Sequence, residues 1–256
     1  HRKIAIIDAS IGYIGSQNII DAEYAPGLFN RELVVHVAGP VVLEMQAVFA
    51  ADWYLETGQV LDDAAYFPHR HGKGSIMAQL LPSGSDFPVT GAGRLVVALI
   101  YSARRRVVIT TPYFIPDVAL VEALETSVLR GVEVNLILSK ASDSVLVGLA
   151  QRSYYDQMLR AGLSIYLFGD GLLHAKHIMI DDLISVIGST NIDIRSFQLN
   201  AEASLIIYDE KIGLMLDAEQ NKNINASVLL TAENWSKRSR PYKLLENIAR
   251  LVSPLL

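Results

Sequence analysis

His174-Ala-Lys176-His-Ile-Met-Ile-Asp181-Asp-Leu-Ile-Ser-Val-Ile-Gly188-Ser189-Thr-Asn191 uses a pattern that the chain has already used once. At the other end, His1-Arg-Lys3, Asp8 and Gly15-Ser16-Gln-Asn18 stand at the same mutual spacings on different filler. An internal repeat bears on the architecture before any single element does. This one repeats polar, reactive residue types. A shared chemistry, not a shared packing face, is the reading it supports.

Each copy reads as a hairpin that turns at Asp8-Ala-Ser10 or at Asp181-Asp182 and ends on a glycine. Residues two apart on a strand project to one face. His174 and Lys176 therefore point together and His177 points away. An imidazole beside a compact ammonium suits an anion. Ser16, Asn18, Ser189 and Asn191 are the candidates for further donors to the same oxygens. Two copies supply two imidazoles, enough for a nucleophile and a general acid. A lone H-x-K is most often an ordinary strand feature; the duplicated H-x-K-x4-D-x6-G-S-x-N is a catalytic signature.

Outward from the second copy, strands and helices alternate. Strands are expected over 106–111, 132–139, 164–168 and 203–208, and helices over 94–102, 119–130 and 145–161. That alternation indicates an α/β fold with a sheet covered on both faces. After the first copy, 41–57 has helical spacing, with Val41, Met45, Val48, Phe49 and Trp53 on one side. Residues 58–74 read as an exposed excursion. His69 and His71 there are read as loop residues, because no third ligand stands at useful spacing. Gly72-Lys73-Gly74 lacks the P-loop pattern. Pro82 to Pro88 punctuates like a connection. The expected organisation is 1–88 as the C-terminal half of a first repeat and 89–256 as a second. About 80 residues, Arg94 to Leu173, precede His174, and a comparable segment is expected before His1. The chain is therefore read as a piece of a longer protein.

The 256 residues are 51% hydrophobic, with a mean hydropathy of +0.28. No apolar run reaches the roughly 20 residues that span a bilayer. The absence of cysteine excludes disulfides, thiolate metal sites and a cysteine nucleophile. The net charge of −5 argues against a nucleic-acid binder that works by broad phosphate neutralisation. The last helical stretch places Leu244, Leu245, Ile248, Leu251 and Val252 on one face among basic residues. It is read as a helix packed on its own domain, with an interfacial helix on anionic lipid as the alternative.

The doubled motif resembles the phospholipase D superfamily, whose members carry two such motifs. Thr111-Pro-Tyr-Phe-Ile-Pro-Asp117, Leu81-Pro-Ser-Gly-Ser-Asp86, Asn191 to Glu202 and Arg250 to Leu256 are similar to bacterial cardiolipin synthases of that type. A segment like Trp-Arg-Asp-Thr-His commonly follows the first motif in the family. Here Asn30-Arg31-Glu32-Leu33-Val34 keeps the acid and drops the aromatic.

The resemblance implies two α/β repeats with both motifs meeting at their interface and the first truncated at its N-terminus. It implies catalysis by His1, Lys3, Asp8, His174, Lys176 and Asp181. His1 would be the nucleophile and His174 the acid and base. Glu32 and Glu202 would orient the imidazoles. Asp8 and Asp181, at the far end of each hairpin, are expected to fix the turn or pair with a charge. It implies no metal and no cofactor. The partners would be an anionic phospholipid (phosphatidylglycerol) and a membrane surface, with no nucleic acid. The setting would be the bacterial cell membrane, with a transmembrane anchor in the preceding segment. Cardiolipin synthesis is the expected activity. A phospholipase D or nuclease with the same machinery, or an inactive membrane-binding scaffold, is the alternative.

Overall fold

The apolar runs around the second motif become the centre of a large mixed sheet. A computed structural model describes residues 1–68, 74–84, 87, 91–142 and 144–252. His69, His71 and Lys73, most of 85–90 and the last four residues lie outside that range. The strands are β1 (Ile4–Ile7), β2 (Ile11–Gly15), β3 (Glu23–Ala25), β4 (Leu28–Arg31), β5 (Val34–Ala38), β6 (Met77–Pro82), β7 (Arg106–Thr111), β8 (Phe114–Ile115), β9 (Glu133–Ser139), β10 (Ser164–Phe168), β11 (Leu172–Leu173), β12 (His177–Ile180), β13 (Ile184–Gly188), β14 (Ile192–Asp193), β15 (Ala203–Tyr208) and β16 (Ser227–Leu230). The helices are α1 (Val41–Thr57), α2 (Gly91–Ser102), α3 (Val118–Leu129), α4 (Val145–Ala161), α5 (Ile194–Gln198), α6 (Glu210–Asn225), α7 (Ala232–Ser236) and α8 (Arg240–Val252).

Their ends are chemically marked. Asp117, Ser144 and Asp209 cap α3, α4 and α6 by accepting from backbone N–H groups. Gly162 closes α4 in the left-handed conformation.

The large sheet has the order β16-β10-β9-β7-β12-β13-β15-β6. Strands β7, β9 and β10 are parallel; the remaining pairings are antiparallel. Both faces are covered, which is why these strands read as continuous apolar runs. One face, with Ile109, Ile178, Val186 and Ile206, packs with Val96, Leu124 and Tyr155 of α2, α3 and α4. The other, with Val108, Met179, Ile187 and Leu205, meets Ile14, Met45 and Leu216. Ile14 belongs to a second sheet of order β1-β2-β5.

The sequence repeat reappears as register. Ile4 pairs with Ile14 and Ile7 with Ile11; His177 pairs with Ile187 and Ile180 with Ile184. Each second-copy residue stands 173 positions on, as His174 does from His1. Gly15 then faces Val34, and Gly188 faces Ser204. The two halves are nevertheless joined by pairing. Strand β6, from the segment before Pro88, runs antiparallel beside β15. Its Leu80 N–H donates to Glu44 of α1 at 2.8 Å.

Candidate active site

Short pairings outside the large sheet deliver the functional side chains. Strand β11 runs parallel to β4, with Leu172 beside Asn30 and Leu173 beside Arg31. The Arg31 carbonyl accepts from His174 N at 2.9 Å and Ala175 N at 2.8 Å. Glu32, the next residue, thereby meets His174, with Nδ1 2.7 Å from Oε1. On the other side, His1 Nδ1 lies 2.8 Å from Glu202 Oε1. Arg2 secures that approach. It donates to the Glu202 carbonyl at 3.1 Å and the Ser83 carbonyl at 2.7 Å, and it pairs with Asp52. The pairs are crossed: each motif's histidine is held by the carboxylate that follows the other motif. Nδ1 is the engaged ring nitrogen in both histidines.

The two carboxylates differ. Burial pushes Glu32 up, but its bonds to His174 and Ser16, with the His174 and Lys176 charges, outweigh that and hold it below the usual range. Glu202 is fully buried. Burial raises it, and the Ser189 hydroxyl, the Lys3 charge and the Asn200 amide offset the rise only in part. Asn200 Nδ2 donates to Glu202 Oε1 at 3.2 Å.

Each lysine folds back on its own motif. Lys3 Nζ donates to the His1 carbonyl at 2.7 Å and lies 3.1 Å from His1 Nδ1. Lys176 Nζ donates to the His174 carbonyl at 2.7 Å. Burial lowers Lys176 to about 7; Glu32 and Glu202 oppose the shift, and the Lys3 charge adds to it. Burial also lowers Lys3, against Glu202 and Glu32. Both lysines feel both glutamates, so the two motifs share one electrostatic neighbourhood. Lys3, Asn18 and His1 line an open cleft of about 1050 Å³ with Tyr13, Ile19 and Ile20.

Three expected roles change. Ser16 and Ser189, read as phosphate donors, are fully buried, and their hydroxyls serve the scaffold. Ser16 Oγ accepts from Leu33 N at 3.0 Å and donates to Glu32; Ser189 Oγ accepts from Ala203 N at 3.0 Å. Each braces the backbone just after a glutamate, at Leu33 and at Ala203. Asp181 lies at the remote end of its hairpin, roughly 20 Å of extended chain from His174. It accepts from the N–H groups of Arg104, Arg105 and Arg106 at 2.8, 2.8 and 2.9 Å, which hold it below its ordinary value against burial. Asp8 occupies the matching turn, with φ of 51° against 54° at Asp181. The contacts of Asp181 are those of the turn role expected of it, and Asp8 shares its backbone conformation. Asn191 is buried beside Asp193, whereas Asn18 remains at the cleft.

Arg2, Asn200 and Asp193 were not singled out by sequence. Burial raises Asp193, with the Ser196 bonds opposing. The position of Arg2, between the two motif residues His1 and Lys3, was its one signal. Among the described residues no group of three or more metal-ligating side chains converges.

Cardiolipin synthase A of Serratia proteamaculans is 37% identical over 268 aligned residues, all of this chain and 54% of the relative. That of Pectobacterium atrosepticum gives the same identity and coverage. The chain thus spans about half the length of the curated relatives it matches. Phosphatidylserine synthase of Haemophilus influenzae superposes with a TM-score of 0.74 at 17% identity, over 100% of this chain and 71% of that one. Nuc of Salmonella typhimurium, a phospholipase D family member, gives 0.53 at 19% identity over 61% of this chain and 99% of its own. At those identities the structural likeness is one of fold. Residues 96–224, half of the chain, match the model described as cardiolipin synthase, PLD-like domain, and the chain belongs to that family.

Proposed function

We propose that the protein containing this chain transfers a phosphatidyl group from one phosphatidylglycerol to the hydroxyl of another, forming cardiolipin and releasing glycerol. The observation that carries the reading is the crossed pair of imidazole–carboxylate contacts, at 2.8 and 2.7 Å, beside the half-buried Lys3 and the buried Lys176. In this reading His1 Nε2 attacks phosphorus as the bond to the leaving glycerol oxygen breaks, and protonated His174 gives that oxygen its proton. His174 then takes the proton of the acceptor hydroxyl. The acceptor oxygen forms its bond to phosphorus, and the phosphorus–nitrogen bond breaks. Glu202 and Glu32 hold the imidazoles by their other nitrogens, while Lys3, Lys176 and Asn18 face the phosphoryl oxygens.

Residues 1–88 and 89–256 are read as the end of one repeat and the whole of the next, a division that the matched registers of β1-β2-β5 and β12-β13-β15 support. The substrate places the reaction at a bacterial membrane. No helix among the described residues is long and apolar enough to cross one, and an anchor is assigned to sequence outside this chain.

Mass spectrometry of products from phosphatidylglycerol with the full-length protein tests the reading. Cardiolipin with glycerol is expected; phosphatidic acid alone would make the enzyme a phospholipase. Peptide mapping under alkaline conditions should find the phosphatidyl adduct on His1. An adduct on His174 reverses the assignment of roles.

A further inference from the structure

Helix α8 is docked by its polar side. An amphipathic surface helix ordinarily turns its apolar stripe to the core and its charged stripe to water. In α8 the apolar stripe of Leu244, Leu245, Ile248, Leu251 and Val252 is exposed, Leu244 by 62% and Leu251 by 81%. The residues turned inward are Glu246 and Ala249, 4% and 2% exposed. Glu246 pairs with Arg238 and with Arg152, the latter at 3.5 Å. Arg250 stacks over Tyr154 at 4.2 Å and donates to Gln157 of α4 at 3.0 Å. Rolling the helix to hide its leucines would break these contacts. The fold presents the apolar face outward.

Charge identifies what covers it. Residues 233–252 carry Lys237, Arg238, Arg240, Lys243 and Arg250 against Glu233, which pairs with Lys237, and Glu246, which pairs with Arg238, in a chain whose net charge is −5. Helix α8 packs on α4, across the large sheet from β1-β2-β5, so the small sheet does not reach it. An exposed apolar stripe flanked by cations has the chemistry of a helix lying in an anionic headgroup layer. We propose that α8 seats the protein on an anionic phospholipid bilayer, with Leu244, Ile248 and Leu251 at the acyl boundary and Lys237, Arg240 and Lys243 among the headgroups. The choice of a lipid occupant rests on the phosphatidyl-transfer reading above.

The chain has no cysteine, so Leu251→Cys, in a full-length protein whose cysteines outside this chain are replaced by serine, carries a single environment-sensitive fluorophore. On vesicles of equal parts phosphatidylglycerol and phosphatidylcholine its emission should shift to the blue and be quenched by nitroxides on the acyl chains. The same label at Glu210→Cys, at the start of α6, should stay aqueous. Adding Ile248→Asp should abolish the quenching. Arg240→Gln or Lys243→Gln should each raise the anionic lipid needed for half-maximal quenching about fivefold. A label at Leu251 that stays aqueous on those vesicles overturns the proposal, as does equal quenching on phosphatidylcholine alone. A shift that appears with protein concentration and without vesicles also overturns it, assigning the face to a second copy. Cardiolipin formation in detergent micelles is measured separately. Its absence while Leu251 is quenched on vesicles removes the activity and leaves the docking intact.

Discussion

Glu32 and Glu202 show how far a side chain's role can be read from its place in a motif. Both were expected to orient a histidine, and both lie within 2.8 Å of one. What sequence did not disclose was which histidine, because the answer lies in the pairing of β11 with β4 and in the approach of His1 to the start of β15. The serines mark the opposite limit. A hydroxyl donates equally well to phosphate or to backbone, and only its burial tells which. Glu32→Gln keeps the shape but loses the charge that supports an imidazolium. Turnover should fall about 100-fold or more, with substrate binding changed far less, as steady-state kinetics would read. Lys176 yields a pH signature. Its folded-state value is lowered to about 7 from 10.5. Between those values the unfolded chain holds a proton that the folded one has released, so stability should rise with pH across the window. Denaturant titrations from pH 7 to 10.5 should show the rise, and Lys176→Met should flatten it.

At the level of elements, α3 and α4 were legible from their end signals, whereas α6, capped by Asp209, was not anticipated. Helix α4 spans the expected 145–161 between Ser144 and Gly162. Strands β3, β4, β6 and β11 were not anticipated, because short strands owe their existence to distant partners and little to local pattern. The motif aspartate acts at this scale too. Asp181 gathers three backbone N–H groups at the entrance to β7, tying the hairpin to the parallel core. Asp181→Ala should cost about 2–3 kcal/mol in chemical unfolding. Activity per folded molecule should fall much less than in His174→Ala. The motif glycines have a spatial cause. A Cβ on Gly188 would come 2.3 Å from the Ala203 carbonyl oxygen, and one on Gly15 2.2 Å from that of Leu33. Gly188→Ala must therefore push β13 from β15 and displace Ser189 from the strand it braces, which hydrogen exchange along β15 would report.

Over the whole molecule, the alternation of strands and helices sufficed for an α/β fold with both sheet faces covered. The outward face of α8 was beyond reach, since periodicity gives the stripe and not the direction in which it points. The cationic, amide-rich cleft leads to a further expectation: phosphatidyl transfer should persist in excess chelator, measured at fixed lipid composition. Strict dependence of the chemical step on a divalent ion would overturn the assignment of charge neutralisation to Lys3 and Lys176. With imidazole–carboxylate contacts crossed between the motifs, a chain with one motif would hold a histidine and a glutamate unable to serve each other, and two such chains, meeting about a twofold axis, would complete both contacts at once. Fusing two copies end to end would preserve that reciprocity while making the partner permanent. In such a fusion neither copy could decay alone, because a lesion in the glutamate of one would impair the histidine of the other.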